Sequence, residues 1–159
     1  MATKNTNLSS FNKEDVPNAK GLSFGIVVSE WNSNITEGLY NGAYKALIES
    51  GVNPTDISRI DVPGSYELVF GVKIAAKQNP DAIICLGSII QGETKHFDFV
   101  CNAVTLGIKD LNISLDIPVV FGVLTDNNME QAINRSGGKH GNKGIEAAIT
   151  AIKMAVLNK

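Results

Sequence analysis

AIICLGSIIQGETKHFDFV, residues 82–100, is the stretch on which the fold turns. Its first half, Ala82 to Ile90, is almost wholly apolar and rich in Ile. Asn79-Pro80-Asp81 bounds it on one side and Gln91-Gly92 on the other, the pattern of a strand buried on both faces. The polarity then flips. Gln91-Gly92-Glu93-Thr94-Lys95 has turn and helix-start chemistry, and Phe97, Val100, Val104 and Ile108 recur behind it at helical spacing. The order is strand, glycine loop, helix, with His96 just inside the first helical turn. In open parallel sheets ligands bind beyond the carboxyl ends of the strands, and a helix start there offers an anion free N–H groups and a positive dipole end. One short loop of this kind also suits a plain connection with a solvated histidine, so the flanking segments decide its meaning.

The same alternation repeats on both sides. Ser23 to Ser29 reads as a first strand, followed by a loop, Glu30 to Asn34, that holds the only Trp. Ile35, Leu39, Ala43, Ala46 and Leu47 then mark one helical face, with Asn34 or Ser33 placed to cap it and Gly51 to stop it. Asp56 to Val62 is a second strand, broken by Pro63-Gly64. Ser65-Tyr66-Glu67 opens a helix whose apolar face is Leu68, Val69, Val72, Ile74 and Ala75. The helix after His96 runs to about Leu111, and Pro118 to Thr125 is a fourth strand. Met129 to Arg135 is a short helix, Ser136 to Gly141 a Gly-rich turn, and Ile145, Ala148, Ile149, Ile152 and Val156 mark a last amphipathic helix. Four strand–helix alternations with connections too long for hairpins imply a four-stranded parallel sheet with helices on both faces, an α/β/α sandwich.

Composition narrows the function classes. A chain of 159 residues, 43% hydrophobic, suits one domain, expected over residues 21–159 behind a flexible arm of residues 1–20. Within that arm Leu8 and Phe11 are the apolar exceptions. Fourteen Lys and Arg against 16 Asp and Glu leave a net charge of −2, which gives no general attraction to nucleic acid or to an anionic membrane. No apolar run approaches the roughly 20 residues of a membrane span. Met1 to Lys20 lacks the apolar core of a secretory signal, so the cytoplasm is the expected compartment. Cys85 and Cys101 read as free, buried thiols, and no His/Cys cluster provides a metal set.

Three loops converge on the carboxyl edge of this sheet. Trp31-Asn32, Ser65-Tyr66-Glu67 and Ser88 to His96 bring an aromatic platform, a carboxylate, an anion-binding helix start and a histidine, the side chain whose charge changes near neutral pH. The blocks Trp31-Asn32 with Ile35-Thr36, Val62-Pro63-Gly64-Ser65-Tyr66-Glu67, Gly87 to Cys101 and Asn134 to Gly144 (NRSGGKHGNKG) resemble, in order, those of the 6,7-dimethyl-8-ribityllumazine synthases of riboflavin biosynthesis.

The resemblance implies a flavodoxin-like fold, assembly as a homopentamer with active sites between neighbouring subunits, and in some members a 60-subunit capsid of twelve pentamers. It implies condensation of 5-amino-6-(D-ribitylamino)uracil with 3,4-dihydroxy-2-butanone 4-phosphate, without a cofactor, and riboflavin synthase as a candidate partner. His96 falls at the catalytic position. Trp31, Asn32, Ser65, Tyr66, Glu67, Ser88, Ile89 and Ile90 fall at positions that hold the ribitylaminouracil, with Phe121 closing the pocket from the adjacent subunit and Lys143 near it. Gly92, Glu93, Thr94 and Arg135 fall at the phosphate site, with Glu146 expected to pair with Arg135. Two positions depart from the commonest pattern: Trp31, where Phe is frequent, and Gln91, where Arg is frequent and would add a positive charge. His140 is expected to be solvated. A flavin- or nucleotide-binding module without catalysis, and a shell-forming structural protein, are the alternatives that the residues by themselves leave open.

Overall fold

The computed structural model describes residues 7, 9, 10 and 13–159, so Leu8 and Phe11 of the expected arm lie outside the described residues. Eleven helices and strands carry the fold. They are β1 Phe24–Ser29, α1 Ser33–Glu49, β2 Ile57–Val62, α2 Leu68–Ala75, β3 Ala82–Ile90, α3 His96–Ser114, β4 Val119–Asp126, α4 Met129–Arg135, β5 Ser136–Gly138, β6 Gly141–Asn142 and α5 Lys143–Leu157. The first four strands form one parallel sheet in the order β2-β1-β3-β4, with Phe24 beside both Ile57 and Ala82, and Ile83 beside Val119. The order reverses between β1 and β3. That switch point is where the loops after both strands leave the sheet in opposite directions and open a crevice.

Alternation of side chains along the strands builds two apolar layers. Phe24, Ile26 and Val28 of β1 and Ile84 and Leu86 of β3 meet Ile35, Leu39, Ala43 and Leu47 of α1 and Ala148, Ala151 and Ile152 of α5. Val27, Ile83 and Cys85 point the other way, onto Leu68 and Val72 of α2 and Val104 and Ile108 of α3. β3 is buried along its length, as its unbroken apolar run demands. The result is the expected three-layer α/β/α sandwich of flavodoxin-like type.

The far end of the sheet is fastened by polar side chains. The Asp81 carboxylate accepts from the Ser23 N–H at 2.7 Å and from its hydroxyl, joining the starts of β1 and β3. The Asn112 amide spans the Ile108 and Val119 backbones and fixes β4 to the last turns of α3.

Several local expectations are corrected. Neither Ser33 nor Asn34 caps α1; Asn32 does, in the left-handed conformation at φ 60°, without a side-chain cap bond. Asn tolerates that region better than other side chains do, and its amide is committed elsewhere. α3 runs on to Ser114 because Leu111 and Ile108 still have core to cover. Ile74 of α2 and Val156 of α5 are exposed; Gly71 and the alanines of α5 take the buried positions instead. The segment after Arg135 is not a simple turn. Ser136–Gly138 and Gly141–Asn142 pair as a small antiparallel ribbon. Its Asn142 amide donates to the Gly38 and Ser136 carbonyls, while its Oδ1 accepts from the Gly144 N–H. Ala19, assigned to the arm by composition, is fully buried in the α1 and α5 layer.

Candidate active site

Beyond the carboxyl ends of β1, β2 and β3 lies an open cleft of about 1130 Å³. The loop after β1 supplies Trp31. Its N–H donates to the Pro63 carbonyl at 3.1 Å and its carbonyl accepts from the Ser29 hydroxyl at 3.2 Å, so the backbone is held while the indole stays 71% exposed. A large aromatic fixed at its root and left in water is a surface for a flat ring. Asn32 follows, and its Nδ2 donates to the Ser88 carbonyl at 3.0 Å, which ties the β1 loop to the end of β3. This is what the left-handed backbone at Asn32 accomplishes.

The loop after β2 supplies Pro63, Gly64, Ser65, Tyr66 and Glu67 to the wall. Glu67 stands at the start of α2 with an exposed carboxylate, and its carbonyl accepts from the Gly71 N–H at 2.9 Å. A Cβ on Gly64 would come within 2.8 Å of the Glu67 carboxylate, so glycine there leaves that group its place. Ser65 approaches β3 at Gly87, where a Cβ would meet its hydroxyl at 2.7 Å. The Ser65 and Ser88 hydroxyls are both buried and have no hydrogen-bond partner among the described residues.

The end of β3 supplies Ser88, Ile89 and Ile90, the loop after it Gly92 and Thr94, and His96 opens α3. The His96 N–H donates to the Thr94 hydroxyl at 3.3 Å, and its imidazole is exposed to the cleft. Gly92, Glu93 and Thr94 are all exposed, but Glu93 does not line the cleft. One wall was not foreseen. Phe97, Phe99, Val100 and Ala103 of α3 and Met129 of α4 also line the cleft. Phe97 and Val100, at helical spacing in the sequence, are half-buried: they pack against the core and border the cleft as well. Phe99 sits two residues from Phe97, off the helical repeat, and carried no signal of its own.

Besides Glu93, three expected residues are not brought to this cleft. Phe121, halfway along β4, and Lys143, at the start of α5, line a separate pocket of about 350 Å³ beside the β4 edge of the sheet. Arg135 ends α4 and is turned to Asp126, with Nη1 to Oδ1 at 3.0 Å. Glu146 does not pair with Arg135 as expected. It accepts from the Lys143 ammonium three residues earlier on the same helix, a partner the helix repeat places closer. His140 is exposed at the tip of the ribbon, as expected of a solvated turn residue.

The two thiols are poor nucleophiles in this setting. Burial pushes Cys85 up to about 12, and burial together with the Asp98 carboxylate raises Cys101. Among the described residues, no group of three His, Cys, Asp or Glu side chains could hold a metal ion, and no helix is long and apolar enough to cross a membrane. The cleft therefore offers stacking, hydrogen bonding and proton transfer, with backbone N–H groups for an anion at the start of α3.

Comparison with known proteins points to one family. Residues 21–159 match the family model described as 6,7-dimethyl-8-ribityllumazine synthase. A 6,7-dimethyl-8-ribityllumazine synthase of Flavobacterium johnsoniae is 64% identical over all of this chain and 84% of its own length. One from Christiangramia forsetii is 62% identical over all of this chain and 96% of its own, and one from Cytophaga hutchinsonii is 55% identical over 97% of each.

Proposed function

We propose residue roles for this cleft on a plain premise: the chain belongs to the 6,7-dimethyl-8-ribityllumazine synthase family, and its reaction is the condensation step of riboflavin biosynthesis. 5-Amino-6-(D-ribitylamino)uracil and 3,4-dihydroxy-2-butanone 4-phosphate combine to give the lumazine, phosphate and water. The observation that carries the assignment of roles is the convergence of Trp31, Glu67 and His96, from three different loops, on one cleft. The indole of Trp31 stacks on the pyrimidine. Asn32 holds that loop against β3, and the backbone of Ser88, Ile89 and Ile90 with the Ser65 hydroxyl and Tyr66 borders the ring. Glu67 accepts from ribityl hydroxyls.

The phosphate meets backbone N–H groups at Gly92, Glu93 and Thr94, the Glu93 carboxylate remaining in water, as its exposure permits. His96 takes and returns protons as the substrate amine and ketone form an imine and as phosphate is eliminated. A positioned acid/base typically contributes about 10²–10⁴-fold. The remaining rate comes from holding two reactants in one orientation, where effective molarities are large.

Phe121, Arg135 and Lys143 complete the site from a neighbouring copy. The support is that none of the three lines the cleft of its own chain, while that cleft is open to solvent. Exposed Phe70 of α2 and Leu106 and Ile113 of α3 give the chain apolar surface to bury in such a contact. A homopentamer provides five such shared sites. Twelve pentamers closing into a 60-subunit capsid, riboflavin synthase as partner and a cytoplasmic location complete the reading.

The test is lumazine formation, followed by absorbance with the two substrates and purified protein, against an uncatalysed control. Acceleration that falls sharply in folded His96→Ala is the expected result; no acceleration from folded, assembled protein refutes the assignment. Sedimentation separates the assemblies: a single species at pentamer mass across buffers refutes the capsid and leaves the shared site intact.

A further inference from the structure

We infer that Asp126 is the positioning residue of the phosphate end of the site: its buried carboxylate holds the Arg135 guanidinium so that the guanidinium's remaining N–H groups meet the phosphate of the four-carbon substrate. This rests on the reading of Arg135 as the phosphate-binding arginine. Asp126 ends β4, in register with Ile90, and its carbonyl accepts from the Gln91 N–H at 2.9 Å. Its backbone is thus part of the sheet and gives the carboxylate a fixed root. Arg135 stands at the far end of α4, whose first turn is fixed by the Asn128 side chain accepting from the Gln131 N–H at 3.0 Å. The ion pair closes this short excursion of chain back onto the strand.

Two features separate positioning from simple stabilisation. The carboxylate is 3% exposed, and its Oδ2 has no hydrogen-bond partner among the described residues. A buried, incompletely satisfied ion pair is a poor source of stability, because desolvation offsets the attraction. What such a pair does supply is geometry. The guanidinium, 24% exposed, lies between the carboxylate and solvent and donates only one of its five N–H groups to Asp126. The others remain for a tetrahedral dianion, which Arg recognises through its planar fork. The carboxylate also repels that dianion. The guanidinium stands between them and the site opens to water, where charge interactions at such separations are screened, so orientation outweighs repulsion. With Gln91 contributing no charge, the placement of this one guanidinium matters more.

Steady-state kinetics with each substrate varied in turn, and with inorganic phosphate as a competitive probe, test the inference in Asp126→Asn, Asp126→Ser, Arg135→Gln and the Asp126→Asn/Arg135→Gln pair. Both Asp126 variants should raise KM for the butanone phosphate and Ki for phosphate about fivefold, or about 1 kcal/mol, with KM for the pyrimidine unchanged. Asp126→Asn should add nothing in the Arg135→Gln background, because it acts through that side chain. If Arg135→Gln leaves KM and Ki for the phosphate ligands untouched, the reading of Arg135 falls and the inference with it. If Arg135→Gln weakens both while the Asp126 variants do not, or if the two effects multiply, the inference alone is overturned. Partial unfolding does not mimic the expected pattern, since it lowers kcat and leaves each KM in place.

Discussion

Gly144→Ala should strike the scaffold that carries Lys143 and the ribbon after Arg135. Gly144 lies in the first turn of α5, pressed on α1, and a Cβ there would stand 1.9 Å from the Leu39 carbonyl oxygen and 2.7 Å from its carbon. Ordinary contact begins near 3.4 Å, so the helices must part by about 1.5 Å. The obstacle is backbone and cannot rotate away. Separation also stretches the bond from the Asn142 amide, the cap of α5, to the Gly38 carbonyl of α1. Overpacking usually costs about 1–3 kcal/mol, and with no side chain able to yield, about 3 kcal/mol is expected. For a chain of this size that is a fall in Tm of roughly 6–12 °C. Thermal unfolding at matched protomer concentration reads it, because association shifts apparent stability. Gly92→Ala is the control: a Cβ there meets nothing within 4 Å, and its Tm should stay within about 2 °C. An unchanged Tm for Gly144→Ala would show that α1 and α5 are not closely packed at this point and refute the reasoning.

His96→Ala should lower kcat by about 10²–10⁴-fold while leaving Tm unchanged, since the imidazole is exposed and only its backbone N–H is engaged; complete loss of acceleration with intact folding would contradict the division between proton transfer and orientation. Acid stability should depend on Glu37. The hydrogen bonds from Arg59, at 3.1 and 2.5 Å, hold its carboxyl below the usual value of 4.5 despite some burial. The pair's contribution is therefore full above that value and is lost as pH falls through the lowered one. Glu37→Gln should flatten the acid limb of a Tm-against-pH profile, and an unaltered limb would exclude the pair as a cause. Cys85, its thiol pushed up to about 12 by burial, should resist alkylation at neutral pH until denaturant is added; labelling of the folded protein at Cys85, read by peptide mass, would show that β3 opens.

The sheet was legible because its signals are local. Ala82 to Ile90 admits water on neither face, and that fixes β3 at the centre and makes the flanking elements its neighbours. The cleft was legible to the extent that its residues sit in short loops after strands, as Trp31, Glu67 and His96 do. What escaped depends on partners distant in the chain. Asn32 caps α1 in a left-handed conformation because Ser88, on another strand, takes its side chain. Asp126, just past the expected end of the fourth strand at Thr125, carries no signal until the structure shows that Arg135 folds back on it and that Glu146 is already occupied by Lys143. Phe97 and Val100 obey the helical repeat and do pack against the core, and nothing in that repeat shows that they also border the crevice at the switch point. Phe121 is half-buried in its own strand, and the alternation of β4 carries no mark of the role proposed for it.

Mixing His96→Ala with Arg135→Gln subunits, unfolding and reassembling them together, tests most directly that the site is shared between copies. If the cleft takes His96 from one subunit and Arg135 from the next, random assembly in equal amounts leaves about one quarter of the interfaces intact on a closed ring. Lumazine formation should then recover to about one quarter of the unmodified rate, far above either variant reassembled alone. Activity no greater than the average of the two variants, in assemblies shown to contain both, would contradict a site built from two chains.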